Sequence, residues 1–185
     1  MSSASDPQSW LSAKVSSGYV ADYKPFSFVD GEGVRCSVYL SGCLFKCEGC
    51  FNEEAWSFKF GQPYTAELEE RIISDLSHPS VQGLSLLGGE PFLNTGVATA
   101  LVARVRREFG QMKDVWCWSG YRLEELMVGS EDKRELLSHL DVLVDGKFEI
   151  AQRDLTLRFR GSANQRVIDV KASLSVGAAV PIPHL

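Results

Sequence analysis

Three cysteines, Cys43, Cys47 and Cys50, lie within the stretch Ser41-Gly42-Cys43-Leu44-Phe45-Lys46-Cys47-Glu48-Gly49-Cys50-Phe51-Asn52. Their spacing is C-x3-C-x2-C, with no fourth cysteine nearby to complete the set. Soft thiolates this close together suit zinc or an iron–sulfur cluster. A structural zinc site asks for four closed ligands. Three thiolates on a four-iron cluster leave one iron open, and an open iron can take a substrate. A zinc site with a distant fourth ligand is the alternative. The three histidines give it little support: His78 closes a helix-like run, His139 lies in another, and His184 is near the end of the chain.

A second group of residues sits at Gly88-Gly89-Glu90-Pro91, directly after the apolar run Leu84-Ser85-Leu86-Leu87. Paired glycines after a strand let a ligand approach the backbone closely. Glu90 either fixes the turn or is a solvated carboxylate. A third group is Val142-Leu143-Val144-Asp145-Gly146-Lys147, an apolar strand that ends in an acid and a base. Such residues at strand ends are typical of sites in β/α barrels, although a polar turn with a surface lysine has the same composition.

These segments, in this order, resemble the radical S-adenosylmethionine superfamily. Gly49-Cys50-Phe51-Asn52, Val29-Asp30-Gly31-Glu32-Gly33-Val34-Arg35-Cys36, Val115-Trp116-Cys117-Trp118-Ser119-Gly120-Tyr121 and Arg160-Gly161-Ser162-Ala163-Asn164-Gln165 narrow the resemblance to the glycyl-radical activases, in the form found in those of anaerobic ribonucleotide reductase. Many superfamily members carry an aromatic residue just before the third cysteine. Here that place is Gly49, and Phe51 follows the cysteine. The activases usually have proline where this chain has Glu32, which makes the entry loop less rigid.

The resemblance implies a [4Fe-4S] cluster on Cys43, Cys47 and Cys50, with S-adenosyl-L-methionine chelated on the open iron. It implies an adenosyl site lined by Gly49, Cys50 and Phe51, and a methionyl end met by Gly89, Asp145, Lys147 and Ser119. It implies reductive cleavage to a 5′-deoxyadenosyl radical and a glycyl radical made on a partner enzyme, foremost the anaerobic ribonucleotide reductase. An external electron donor such as a flavodoxin is implied as well. Within the class, an activase of pyruvate formate-lyase or a small-metabolite enzyme remains open. Outside it, a zinc-stabilised interaction module does.

The elements that must position these residues are legible from periodicity. Val34 to Leu40 reads as the first core strand, delivering Cys43 to the loop after it. Thr65 is an N-cap for a helix through Ser77, with Leu68, Ile72, Ile73 and Leu76 on its apolar face. Leu84 to Leu87 is a strand. Val97, Leu101, Val102, Val105 and Phe109 mark a helix. Val115 to Trp118 is a strand, Leu123 to Leu140 holds one or two helices, and Val142 to Val144 is a strand again. Such alternation predicts an α/β fold with parallel units and with the site residues at the carboxyl ends of the strands.

A chain of 185 residues is short for a closed eight-unit barrel, typically about 250 residues. A partial, open β/α barrel of the radical S-adenosylmethionine type is expected, over residues 18–171. Residues 1–17, rich in serine, and residues 172–185 are expected to be flexible tails. Cys36 and Cys117 fall inside strands and are expected to be small buried hydrophobes. Trp116 and Trp118 are expected to pack in the core, with a place for one of them at the border of the adenosyl site as the alternative. The hydrophobic fraction of 44% suits a globular protein, and a net charge of −5 argues against a broad nucleic-acid footprint. No run is apolar and long enough to span a membrane, the start lacks the basic and apolar parts of a signal peptide, and an odd five cysteines do not make a disulfide framework. A reducing cytoplasm is the expected setting.

Overall fold

The computed structural model describes residues 6–185. Seven strands form one mixed sheet in the order β3-β1-β2-β4-β5-β6-β7. They are β1 (Tyr19–Ser27), β2 (Val34–Leu40), β3 (Gln62–Pro63), β4 (Val81–Gly88), β5 (Asp114–Ser119), β6 (Val142–Asp145) and β7 (Arg166–Asp169). The four central strands, β2, β4, β5 and β6, are parallel. The flanking pairs are antiparallel. The sheet does not close on itself, since β3 and β7 are its two edges.

The parallel strands are apolar on both faces because both faces are covered. On one side lie α2 (Ala66–Leu76), α3 (Thr95–Phe109), α4 (Leu123–Met127), α5 (Glu131–Ser138) and α6 (Val170–Val176). Thr65 caps α2 by accepting from the Leu68 N–H at 3.3 Å. Its apolar stripe, with Val97, Leu101, Val102 and Val105 of α3, packs on Cys36, Val38, Leu84, Leu86 and Cys117 of the sheet. Cys36 and Cys117 are thus core residues, as their place in strands predicts.

The other face carries a smaller cluster of Trp116, Val142, Val144 and Val167, with Trp118, Phe159, Ile182 and Leu185 against it. Trp116 stacks on Trp118, centroids 5.7 Å apart. This face also buries Arg35. Its guanidinium donates to Ser85 Oγ, to the Leu84 and Glu32 carbonyls and to Asp114, so its charge is paired and its donors are used. Ser85 Oγ donates in turn to the Asp30 carbonyl.

The segments expected as tails pack on this frame. Residues 1–5 lie outside the described residues. A short 3-10 turn, Pro7–Ser9, and α1 (Ser12–Val15) follow. Ser12 is buried and its Oγ accepts from the Thr95 N–H. Tyr121 donates its hydroxyl to the Pro7 carbonyl. At the other end, α6 occupies part of the stretch beyond 171, and the Ile182 N–H donates to the Val167 carbonyl at 2.9 Å, beside the β7 edge. Buried contacts outweigh the serine-rich and small-residue composition of both segments. Among the described residues, no helix is long and apolar enough to cross a membrane.

Candidate functional site

The register of the parallel strands decides where the site lies. Leu40 pairs with Gly88, Leu86 with Cys117 and Ser119 with Asp145, so the four strands end at one edge. The cysteine loop, the Gly-Gly turn, Ser119-Gly120 and the Gly146 loop all leave from it. A cleft of about 780 Å³ opens there, lined by Cys43, Cys47, Cys50, Phe51, Gly89 and Ser119 among others. Gly49, Asp145 and Lys147 stand beside it without lining it.

The cysteine loop is folded by its own backbone. Lys46 (φ 47°) and Gly49 (φ 72°) are left-handed, and the Cys50 N–H donates to the Cys47 carbonyl. Gly42 and Cys43 donate to the carbonyls of Ala55 and Trp56, which ties the loop to the segment that follows it. The Gly-Gly turn is bonded to the loop as well. The Gly89 N–H donates to the Leu40 carbonyl at 2.7 Å, and the Glu90 N–H to the Gly42 carbonyl at 2.9 Å. A Cβ on Gly89 would lie 2.5 Å from the Gly42 oxygen and 2.9 Å from that of Ala55. Only glycine fits there. The left-handed glycine of the pair is Gly88, at φ 101°.

Glu90 is the acidic hub, 1% exposed. It accepts from the Phe92 N–H at 3.0 Å, the Ser119 hydroxyl at 2.9 Å and the Gly120 N–H at 2.8 Å. It therefore staples the ends of β4 and β5. Burial pushes its carboxyl up to about 7, against the pull of those three donors. Ser119 is thus engaged with Glu90, and its oxygen also accepts from the Tyr121 N–H. Asp145 is fully buried and equally committed. It accepts from the Leu123 N–H at the start of α4 and makes a two-point ion pair with Arg166. Lys147 is exposed, with its ammonium 5.1 Å from the centroid of the Phe45 ring, a cation–π contact. Phe45, between Cys43 and Cys47, also packs on Trp10 at 5.0 Å and Tyr121 at 4.9 Å.

All three loop thiols are free. Burial pushes the Cys43 thiol up to about 12, with the Glu90 carboxylate adding to the effect. Burial also raises Cys47. Backbone N–H groups oppose this: those of Phe45 and Lys46 reach the Cys43 sulfur and that of Phe148 reaches Cys47. The Asn52 N–H donates to the Cys50 sulfur at 3.4 Å. An amide donor on Cys50, with backbone N–H groups near the other two sulfurs, suits thiolates that hold iron, whose potential such bonds help set. Among the described residues, no three cysteine, histidine or carboxylate side chains converge as ligands of a single ion. A cluster does not need that convergence, because each thiolate binds its own iron. The donor set therefore fits a cluster of this kind.

The segment Arg160 to Gln165 and Trp118 are marked in the sequence, but not their roles at the site. Gln165 donates to the Gly146 carbonyl at 2.9 Å while its oxygen accepts from the Gly161 and Ser162 N–H groups. Asn164 donates to the Lys147 carbonyl at 2.8 Å. The segment from Arg160 to Gln165 thus clamps the loop after β6, and Arg160 itself lines the cleft. Trp118 lines it too, its indole N–H held by the Phe159 carbonyl at 2.7 Å.

A family model described as a 4Fe-4S single cluster domain matches residues 29–168. The anaerobic ribonucleoside-triphosphate reductase-activating protein of Vibrio cholerae is 45% identical over 147 residues, 77% of this chain and 92% of that protein. The protein of the same name from Escherichia coli K12 is 41% identical over 149 residues, 78% of this chain and 94% of that protein. That of enterobacteria phage T4 is 38% identical over 147 residues, covering 77% and 88%. With its cysteines, its Gly-Gly-Glu turn and its cleft at one sheet edge, the chain belongs to the family of anaerobic ribonucleoside-triphosphate reductase-activating proteins.

Proposed function

We propose that this protein is a radical S-adenosylmethionine oxidoreductase that makes a glycyl radical on an anaerobic ribonucleotide reductase. The observation that carries the reading is the joining of two motifs into one site: the cysteine loop and the Gly88-Gly89-Glu90 turn are hydrogen-bonded to each other at the floor of one cleft. A bound cluster would supply the one-electron reduction that cleaves S-adenosyl-L-methionine and yields the hydrogen-abstracting 5′-deoxyadenosyl radical.

Cys43, Cys47 and Cys50 would hold three irons. Gly89, which lines the cleft and carries no side chain, would offer its backbone to the methionyl ammonium. The Lys147 ammonium, resting on Phe45 beside the cleft, would turn in to meet the methionyl carboxylate as a point charge. Gly49, Cys50 and Phe51 border the adenosyl group. Asp145 and Ser119 serve from behind: Asp145 holds Arg166 and the start of α4, and Ser119 orients Glu90. The open sheet is the frame of a partial β/α barrel, and its open side admits a loop of the partner. A glycine is a suitable target because its Cα radical is delocalised over the flanking amides. A flavodoxin-like donor and a cytoplasmic setting complete the proposal.

Anaerobic reconstitution tests the cluster. Iron and sulfide near the 4:4 content of the matching domain are expected, lost in Cys43→Ala, Cys47→Ala and Cys50→Ala and kept in Cys36→Ala and Cys117→Ala. Stoichiometric zinc without sulfide would make the chain a zinc-stabilised module instead.

A further inference from the structure

We propose that Phe148, facing Phe51 across the cleft, supplies the aromatic wall for the purine base of the cofactor. The inference rests on the reading of the cleft as an S-adenosylmethionine site.

The argument starts from Gly49. Its φ of 72° is one that side-chain-bearing residues rarely adopt. A Cβ there would lie 2.8 Å from Ile150 Cδ1 and 3.5 Å from Phe148 Cε1. The space beside Gly49 is therefore taken by Ile150, with Phe148 next to it at ordinary contact distance, both from the segment after β6. Of the two, Phe148 lines the cleft.

Phe148 is held in place from several sides. Its backbone N–H lies near the Cys47 sulfur and opposes the effect of burial on that thiol. The carbonyl before it, that of Lys147, is clamped by Asn164. A Cβ on Gly161 would come 3.0 Å from its ring, so a glycine backbone lies beside it. The Phe51 ring stands 6.2 Å away, tilted by 58°.

That pair is suited to a flat ligand. The two rings sit next to the cluster cysteines, and Phe51 is 71% exposed. Two carbon-to-carbon contacts of about 3.5 Å need about 7 Å between parallel rings, so admitting a base between them takes a turn of Phe51 that removes the 58° tilt and widens the 6.2 Å separation. Stacking on an aromatic ring reads a π-face and is indifferent to the base's edge. Phe148, on the loop clamped by Asn164, sets the base's position beside the cluster cysteines, and Phe51 covers the other face.

The test uses the cluster-loaded protein under anaerobic conditions, comparing wild type with Phe148→Leu and Phe148→Tyr by isothermal titration. The ligands are S-adenosylmethionine, 5′-deoxyadenosine and methionine. Phe148→Leu is expected to bind both adenosyl ligands about 10- to 100-fold more weakly, to bind methionine as wild type does, and to keep its iron and sulfide. Phe148→Tyr keeps the ring and wild-type affinity. Unchanged 5′-deoxyadenosine affinity in Phe148→Leu overturns the assignment. So does an equal loss for methionine, or loss of iron, either of which makes Phe148 a support of the loop. A wild type that binds none of the three ligands overturns the underlying reading of the cleft.

Discussion

Glu90→Gln isolates the cost of placing a carboxylate at the floor of the cleft. The ordinary carboxyl value is 4.5, and burial raises Glu90 to about 7 in the folded chain. A raised folded-state value means that the folded chain holds a proton that the unfolded chain has released. The stability this contributes is fully present below pH 4.5 and is lost as pH rises through 7. At ~1.36 kcal/mol per pH unit, the interval amounts to roughly 3 kcal/mol. Glutamine cannot ionise, so the variant lacks this loss. It keeps one acceptor oxygen for the donors on Phe92, Ser119 and Gly120, which offsets its stability by an amount independent of pH. Urea unfolding of the metal-free, reduced proteins, followed by circular dichroism between pH 4.5 and 8, gives the comparison. The stability of Glu90→Gln minus that of wild type is expected to rise by roughly 3 kcal/mol across the range. A flat difference would remove Glu90 as a titrating group. A difference that falls with pH would mean the three donors outweigh burial.

Three further outcomes follow from the same contacts. Gly89→Ala places a Cβ 2.5 Å from the Gly42 carbonyl, so it should displace the cysteine loop and lower iron content as well as cofactor affinity; wild-type iron after reconstitution would contradict this. Trp10→Ala removes the ring that seats Phe45 between Cys43 and Cys47, and should cost about 3 kcal/mol and speed the loss of iron to a chelator, with Trp10→Phe restoring much of both. Asp145→Asn breaks a buried ion pair with Arg166, and chemical denaturation should show a loss of about 3 kcal/mol; a loss under 1 kcal/mol would mean that Glu124 alone satisfies Arg166.

The parallel core was legible because it is periodic. β2 spans Val34 to Leu40 as its apolar run predicts, and α2 starts after Thr65 as its cap requires. The antiparallel flanks were not. β1 contains Asp22, Lys24 and Pro25 and has two breaks in register with β2, so no alternation marks it. β7 has only four residues, charged at both ends. The cysteine loop could be found because its chemistry is contiguous in the chain. The roles of Glu90, Gln165 and Phe148 could not, because each comes from contacts between segments far apart in sequence. Gly49 carried a usable hint: a glycine next to a ligand cysteine leaves room for another segment, and Ile150 and Phe148 after β6 lie there. In the described part of the terminal segments, Ser12 and Ile182 find partners on the core that their serine-rich and small-residue surroundings do not mark.

The central claim is that this cleft produces a radical that is passed to a protein glycine. Its most direct measurement is electron paramagnetic resonance of the reductase from the same organism, incubated anaerobically with the cluster-loaded protein, a reductant and S-adenosylmethionine, with 5′-deoxyadenosine quantified in parallel. The account predicts a glycyl radical signal on the reductase and 5′-deoxyadenosine formed in step with it, both absent when Cys47→Ala replaces the wild type. A reductase that gains no radical, while a small metabolite accelerates S-adenosylmethionine cleavage, would contradict it.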